Sequence, residues 1–169
     1  MTTSLEILIG DWLHRRDLKL VVAESCTGGL IGHLITNVPG SSAYYLGSIT
    51  AYAYSVKERI LGVHPETLLA HGAVSRATVL EMARGVRQSL GGESTLDKVI
   101  GLSVSGIAGP GGATPDKPVG LVWIGISAPE GDFAWHFIGH GDRRENKAFS
   151  AEMALQLLLE VLQGQPRPE

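Results

Sequence analysis

The chain has 169 residues, 44% of them hydrophobic and 18% charged, and its 14 Lys and Arg against 17 Asp and Glu give a net charge of −3. This length suits a single domain over residues 1–169 with a substantial core, and the acidic balance gives no sign of the basic stripe that a nucleic-acid backbone requires. No apolar run reaches the ~18 residues of a membrane span, and the N-terminal segment carries acids where a secretory signal would carry bases, so we expect a cytoplasmic protein without a membrane partner.

The first third of the chain predicts two helices and two strands. Apolar residues at helical spacing predict a helix over about 4–16. A continuous apolar run at 18–25 predicts a strand that is buried on both faces, and residues 27–38 predict a helix that follows it directly. The β-branched and aromatic residues at 48–55 predict a second strand with a short helical turn after it.

The middle of the chain predicts a long helix, a buried strand and a long loop. Helical spacing behind a candidate cap at Ser75 predicts a helix that ends at residues 91–92. Residues 98–106 predict a buried strand, and the glycine- and proline-rich segment 107–120 predicts a loop. A loop of that length is often functional.

The last third predicts an antiparallel hairpin and a final helix. The hairpin has strands at 121–129 and 132–140, joined by a short turn. A helix follows over about 144–163, and we expect the remaining residues, 164–169, to form a frayed tail. The combination predicts an α/β domain with a mixed sheet.

Several familiar chemistries lack the residues that they need. The lone cysteine, Cys26, excludes an internal disulfide and a multi-thiolate site. The six histidines are scattered without an HExxH motif, so we expect no metal. The glycines of 107–120 match neither a phosphate loop nor a dinucleotide fingerprint, so we expect no nucleotide cofactor.

The segment 21–30 places polar side chains where a buried strand passes into a helix. Ser25 at such a corner gains exposure at the sheet edge and lies beside free N–H groups at the helix start, around Thr27, Gly28 and Gly29. Those groups could hold a phosphate or the oxyanion that forms when a carbonyl is attacked. No GxSxG or SxxK motif surrounds this serine, so its base must come from elsewhere in the chain.

Lysine can act as that base if burial keeps it neutral. Lys57 follows the second predicted strand, which would lie beside the first, and Tyr52 precedes it by five residues and could pass a proton or orient the amine. A second strand end, at Ser105 and Gly106, repeats the pattern of the first and could face the same crevice.

These residues also have ordinary structural explanations. Ser25 could simply cap the helix, and Cys26 could be a buried hydrophobe or a rival nucleophile. Lys57 could be a solvated surface lysine. Glu24 could pair with Lys57, although an ion pair would keep the amine protonated.

Five stretches together resemble the CinA C-terminal family, in the family's order and over roughly residues 5–160. They are AESCTGG at 23–29, GSSAYY at 40–45, AYAYSVKERILGV at 51–63, HGAVS at 71–75, and SVSGIAGPGG with KPVG within 103–120. The resemblance implies a three-layer α/β/α sandwich with a mixed, mostly parallel sheet, and a homo-oligomer is plausible for such a chain.

The resemblance also implies an activity. Characterised enzymatic members hydrolyse nicotinamide mononucleotide to nicotinate mononucleotide and ammonia by a serine-lysine mechanism without metal. By position, Ser25 matches the nucleophile, Lys57 the base and Tyr52 the assisting tyrosine. Arg143, ahead of the final helix, would hold the phosphate.

Two departures from the family pattern leave other functions open. Many amidase members read TYSN before the lysine, where this chain has AYAYS, and Lys147 stands where members often carry a second arginine. Lysine lacks the bidentate fork of arginine. The alternatives are a non-catalytic nucleotide- or partner-binding module, and an amidase for a different small amide, including one that depends on Cys26.

Overall fold

The computed structural model describes residues 4–169, apart from the side chains of residues 93–95. The helices of this part are α1 (Leu5–Arg15), α2 (Leu30–Thr36), α3 (Tyr54–Leu61), α4 (Pro65–His71), α5 (Arg76–Gly91) and α6 (Arg143–Leu162). The strands are β1 (Lys19–Glu24), β2 (Tyr45–Thr50), β3 (Val99–Gly106), β4 (Leu121–Ala128) and β5 (Gly131–Ile138). Two short 3-10 helices lie at Ser41–Ala43 and Glu93–Lys98.

The five strands form one sheet in the order β2-β1-β3-β4-β5. β1 pairs parallel with both β2 and β3, whereas β4 pairs antiparallel with β3 and β5. β4 is therefore the strand that runs against the other four, which confirms the mixed, mostly parallel sheet. Because β1, β2 and β3 point the same way, their carboxyl ends meet at one edge of the sheet.

Helices cover both faces of the sheet, and β1 alternates between them. Leu20 and Val22 pack in a cluster with α1, α2 and α6, while Val21 and Ala23 pack in a second cluster with α3, α4 and α5. This alternation follows from the two-residue repeat of a strand. The layers confirm the α/β/α sandwich, and they explain why residues 20–23 of β1 are all apolar.

The second strand lies earlier in the chain than predicted. β2 ends at Thr50, and Ala51 makes the last ladder bond, from its N–H to the carbonyl oxygen of Glu24, 2.8 Å away. Tyr54 begins α3 instead of continuing the strand. Tyr52 and Tyr54 are both exposed, so no packing supports their β propensity. The segment forms a helix instead, which buries Leu61 against α5.

Helix α4 was not predicted from the sequence, although it carries a start signal. Pro65 occupies its first position and Glu66 lies in its first turn. Proline is favoured there because the missing N–H would have no partner inside the helix. The predicted cap of α5 is confirmed, since the Ser75 hydroxyl accepts a hydrogen bond from the N–H of Thr78.

The C-terminal tail is held against β5, and the expectation that it frays is wrong. The indole N–H of Trp135 donates to the carbonyl oxygens of Arg167 and Pro168, at 3.1 and 3.2 Å. The N–H of Ala134 donates to a carboxylate oxygen of Glu169, 3.0 Å away. β5 is an edge strand with N–H groups that need acceptors, and the tail supplies one of them.

Helix α5 approaches the end of α3 so closely that only glycine fits between them. A Cβ on Gly85 would lie 1.8 Å from the carbonyl oxygen of Leu61, which is backbone and cannot swing away. The same short helix, α3, carries Lys57. The position of Lys57 therefore depends on close contact between these two helices.

We expect Gly85→Ala to destabilise the protein by about 3 kcal/mol, because the added methyl must push α3 and α5 apart. Urea unfolding followed by circular dichroism measures the change. Gly111→Ala is the control, since no atom lies within 4 Å of the position of its Cβ. Equal stability of the two variants would contradict the close approach.

Candidate active site

A cavity of about 240 Å³ opens at the sheet edge where β1 and β3 end. Its wall includes Ser25 and Cys26 after β1, Ser105 and Gly106 at the end of β3, and Lys57 from α3. The parallel pairing of β1 with β3 brings the two strand ends side by side, with Glu24 opposite Val104. The two corners expected from the sequence therefore share one crevice.

Ser25 and Lys57 are in direct contact in this cavity. The Lys57 amine nitrogen lies 3.0 Å from the Ser25 hydroxyl oxygen. The same nitrogen lies 2.7 Å from the carbonyl oxygen of Ala51 and 3.1 Å from that of Tyr52. Lys57 is 1% exposed and Ser25 8% exposed, so both groups are shielded from bulk water.

This arrangement suits a neutral amine. A neutral lysine has two N–H bonds and one lone pair, and an ammonium has three N–H bonds. The carbonyl oxygens of Ala51 and Tyr52 can accept both N–H bonds of the neutral form, and the lone pair is then left for the Ser25 hydroxyl proton. Burial lowers the pKa of the Lys57 amine from 10.5 to about 8, because an ammonium loses its hydration there.

Glu24 is not the partner of Lys57. Its buried carboxylate accepts hydrogen bonds from the first turn of α2 and from the Thr27 hydroxyl, 2.6 Å away. The side chain of Lys57 is instead held by the backbone carbonyls and by Ser25. The lysine thus lacks the ion pair that would keep it protonated.

Three expected substrate contacts do not line the cavity. Thr27 is buried with its hydroxyl on Glu24, and the N–H of Gly29 also donates to Glu24, at 3.0 Å. The N–H of Gly28 donates to the carbonyl oxygen of Ser25, at 3.1 Å. These groups hold the turn that carries Ser25, and two of the three backbone amides are already engaged.

Tyr52 and Arg143 meet at the cavity wall. One guanidinium nitrogen of Arg143 donates to the Tyr52 hydroxyl, 3.0 Å away, and another donates to the carbonyl oxygen of Gly109, 2.7 Å away. Arg143 is the first residue of α6, where the Asp142 cap and Glu145 form a capping box. The Tyr52 hydroxyl thus bonds to Arg143, and it is the backbone of Tyr52 that reaches Lys57.

The end of β3 packs closely against Cys26 and the start of β4 because Gly106 has no side chain. A Cβ there would lie 2.8 Å from the carbonyl oxygen of Leu121 and 3.1 Å from the sulfur of Cys26. Ser105 beside it is buried in the same wall. The end of β3 can therefore contact a ligand with its backbone.

Cys26 also lines the cavity, but its thiol is a poor nucleophile. Burial raises the pKa of the Cys26 thiol from 9.0 to about 11. The reactive form of cysteine is the thiolate, which is scarce at neutral pH with such a pKa. The side chain packs in the hydrophobic cluster on the α1, α2 and α6 side of the sheet.

Some contributors to the cavity were not found from the sequence. Ala51 supplies only its carbonyl oxygen, which no residue-type pattern reveals. Gly111, Gly112 and Val74 also line the cavity. The glycines lie in the long loop that was expected to be functional, so its composition was the available signal.

Lys147, one of the departures from the family pattern, lies close to the turn after Ser25. Its amine is 3.6 Å from the position that a Cβ of Gly28 would take. It follows Arg143 by four residues on α6, so both cations are on the same side of that helix.

The described residues offer neither a metal site nor a membrane span. Among the side chains described, those of residues 4–92 and 96–169, no group of three or more His, Cys, Asp or Glu could hold a metal ion. Among the helices of the same part of the chain, none is long and apolar enough to cross a membrane.

Comparison with known sequences agrees with the motifs. The model of the CinA C-terminal domain family matches residues 2–162. CinA-like proteins from Chlorobaculum tepidum and Thermotoga sp. are 47% and 42% identical to this chain, over 92% and 97% of it. The chain spans 37% and 38% of the lengths of these two relatives.

Solved structures agree with the fold. A competence-damaged protein (CinA) superfamily protein from Klebsiella pneumoniae is similar with a TM-score of 0.86 and 30% identity, over 96% of this chain and 99% of that one. The competence/damage inducible protein CihA from Agrobacterium tumefaciens is similar with a TM-score of 0.81 and 35% identity, over the same shares of the two chains.

The depressed pKa of Lys57 predicts a pH dependence of stability. Between about pH 8 and 10.5 the folded protein holds Lys57 neutral, while the unfolded chain still binds the proton. The unfolded state then binds more protons, so stability rises with pH across this window, by at most about 3 kcal/mol from this group. Below pH 8 both states are protonated and the contribution is constant.

Urea unfolding of the wild-type protein and of Lys57→Met at several pH values measures this contribution. We expect the free energy of unfolding of the wild type to rise with pH relative to that of the variant. Parallel pH dependences of the two proteins would contradict the depressed pKa.

Proposed function

This chain belongs to the CinA C-terminal domain family, and we propose that it is an amidase that hydrolyses the carboxamide of nicotinamide mononucleotide to nicotinate mononucleotide and ammonia. The observation that carries the proposal is the contact between the Lys57 amine and the Ser25 hydroxyl, 3.0 Å apart in a cavity wall. A base and a nucleophile at this distance can perform acyl transfer without a metal.

In the first half of the reaction, Ser25 attacks the carboxamide carbon. The neutral Lys57 amine takes the hydroxyl proton as the new C–O bond forms. The resulting ammonium then gives a proton to the amide nitrogen as the C–N bond breaks. Ammonia leaves, Lys57 is neutral again, and the acyl group remains as an ester on Ser25.

The second half repeats the same proton path with water. Lys57 takes a proton from the water molecule that attacks the ester carbon. The amine then returns this proton to the Ser25 oxygen as the ester bond breaks. The product is the carboxylic acid of nicotinate mononucleotide, which releases its remaining water-derived proton to the solvent to become the carboxylate, and the enzyme is restored.

Backbone groups and Arg143 would complete the site. The N–H of Cys26 follows the nucleophile directly, and Ser105 and Gly106 lie across the cavity, so these backbones are candidates to hold the oxyanion. Arg143 lies in the same wall and would bind the phosphate, with its guanidinium pre-oriented by Tyr52 and Gly109. Tyr52 would then act on the phosphate end of the substrate through Arg143.

The amidase proposal is tested first by removing the nucleophile. We expect purified wild-type protein to release ammonia from nicotinamide mononucleotide, and we expect Ser25→Ala to lower kcat by at least about a thousandfold, since the acyl intermediate cannot form. Calorimetric titration should show that the variant still binds the nucleotide.

Ser103→Ala is a matched control for that variant. Ser103 is a fully buried serine on β3 whose hydroxyl donates to the carbonyl oxygen of Val79, away from the cavity. Its ammonia release should be close to that of the wild type. Undiminished turnover by Ser25→Ala would refute the nucleophile, and binding without turnover by the wild type would favour the non-catalytic module.

The amine of Lys57 also predicts the pH dependence of catalysis. The neutral form is the active one, so kcat/KM should rise about tenfold per pH unit below a pKa of about 8 and level off above it. Initial rates of ammonia release between about pH 6.5 and 9.5 measure the profile. A rate that falls across this interval would contradict a neutral lysine base.

A further inference from the structure

Glu24, the last residue of β1, has a fully buried carboxylate that the proposed reaction does not use. One of its oxygens accepts the N–H of Gly32, at 2.9 Å. The other accepts the Thr27 hydroxyl and the N–H groups of Gly29 and Ile31, at 2.6, 3.0 and 3.1 Å. A buried carboxylate is costly unless it is hydrogen-bonded, and this one has four donors.

These four bonds close a turn around the nucleophile. The donors all come from residues 27–32, and Glu24 immediately precedes Ser25. The backbone of Ser25 is held on both sides. The Ser25 N–H donates to the carbonyl oxygen of Val104, 3.0 Å away, and the Ser25 carbonyl oxygen accepts the N–H of Gly28, 3.1 Å away. The carboxylate thus ties the start of α2 back to the strand that presents Ser25.

The main chain of Glu24 reaches the base as well. Its carbonyl oxygen accepts the N–H of Ala51, at 2.8 Å, and the carbonyl oxygen of Ala51 accepts the Lys57 amine, at 2.7 Å. Glu24 is therefore connected to both Ser25 and Lys57. Its side chain holds the turn that follows Ser25, and its backbone bonds to Ala51, whose carbonyl oxygen accepts the Lys57 amine.

The contact of Gly32 with its neighbours leaves the carboxylate little freedom. A Cβ on Gly32 would lie 2.7 Å from the Tyr45 hydroxyl oxygen, 3.1 Å from the Ser48 hydroxyl oxygen and 3.6 Å from Glu24. The start of α2, β2 and the Glu24 side chain are thus packed against each other. A change at Glu24 cannot be absorbed there without a shift of the turn.

We propose that Glu24 is a positioning residue, which fixes the Ser25 hydroxyl at hydrogen-bonding distance from the Lys57 amine by holding the 25–29 turn closed. This inference rests on the proposed Ser25–Lys57 chemistry, and it assigns Glu24 no contact with substrate. The carboxylate occupies the first amides of α2, so the anionic part of a substrate has no place there.

Glu24→Gln is the sharpest test, because it changes one oxygen to an NH2 group of nearly the same size. Whichever way the amide lies, a donor of Gln would face at least one backbone N–H that the carboxylate now accepts. The turn should open by a fraction of an ångström and misalign the serine. Such a displacement lowers the rate of the chemical step more than it lowers binding.

The measurement uses a reagent that reports on Ser25 independently of the natural substrate. Phenylmethylsulfonyl fluoride sulfonylates activated serines, and intact-protein mass spectrometry with peptide mapping gives the rate at Ser25. We expect Glu24→Gln to slow this reaction at least about tenfold, and to lower kcat for nicotinamide mononucleotide by a similar factor with KM nearly unchanged.

Glu81→Gln is the matched control. The carboxylate of Glu81 likewise accepts a backbone N–H, from His64 at 2.9 Å, and a threonine hydroxyl, from Thr67 at 2.7 Å, at the start of α4. The new amide can keep its oxygen on the N–H of His64 and donate to the Thr67 hydroxyl, so this variant should fold and keep the wild-type rate at Ser25. If Glu24 served stability alone, Glu24→Gln and Glu81→Gln would be sulfonylated at Ser25 at the same rate.

Thr27→Val serves if Glu24→Gln does not fold. It removes one of the four donors, keeps the carboxylate, and should slow the Ser25 reaction by a smaller factor. Sulfonylation of the folded Glu24→Gln or Thr27→Val protein at the wild-type rate would overturn the positioning role and leave the amidase proposal standing.

Two further outcomes separate this inference from the proposed substrate. If the wild type is sulfonylated at Ser25 and slowed by Glu24→Gln but releases no ammonia from nicotinamide mononucleotide, the positioning role holds and the substrate is wrong. If the wild type neither reacts with the reagent nor turns over the nucleotide, both proposals are overturned.

Discussion

The rest of the site depends on one constraint, the burial of a lysine amine without an acid beside it. An ammonium in that position would lose its hydration and gain only carbonyl dipoles and a hydroxyl in return. The neutral amine fits the same surroundings, because two carbonyl oxygens match its two N–H bonds. The backbone of residues 51–52 therefore orients the lone pair of the amine, and that lone pair points to the Ser25 hydroxyl.

The parallel part of the sheet meets this constraint. β1 ends beside both β2 and β3, so the strand that presents Ser25 lies between the segment that supports Lys57 and the segment that forms the opposite wall. Two close contacts around these segments require glycine. Gly106 lets the end of β3 pack against Cys26, and Gly85 lets α5 pack against the end of α3, the helix that carries Lys57. The antiparallel hairpin of β4 and β5 extends the sheet, and the C-terminal tail covers part of its outer edge.

The sequence predicts those helices and strands whose apolar spacing matches the faces that they bury. β1, β3 and α5 were found because their apolar periodicity matches their burial, and the corner at Ser25 followed from the order of strand, small residues and helix. The end of β2 was misplaced because aromatic residues there are exposed, and the tail was misjudged because its partners lie on a distant strand. The carbonyl of Ala51 and the bond from Arg143 to Tyr52 depend on tertiary structure alone.

The structure also shows that Glu24 and Lys57, which the sequence alone allows to form an ion pair, have separate partners. From the sequence alone, Glu24 could pair with Lys57, and the backbone N–H groups after Ser25 could hold an anion. In the fold the Glu24 carboxylate accepts N–H groups at the start of α2, from Gly29 to Gly32. Lys57 therefore keeps a depressed pKa, and the negatively charged part of a substrate must find its cation elsewhere. In the proposed reaction Arg143 in the cavity wall supplies that cation, and Lys147 lies one turn further along the same helix. In the proposed reaction, chemistry and phosphate binding thus use separate charges, and neither interferes with the other.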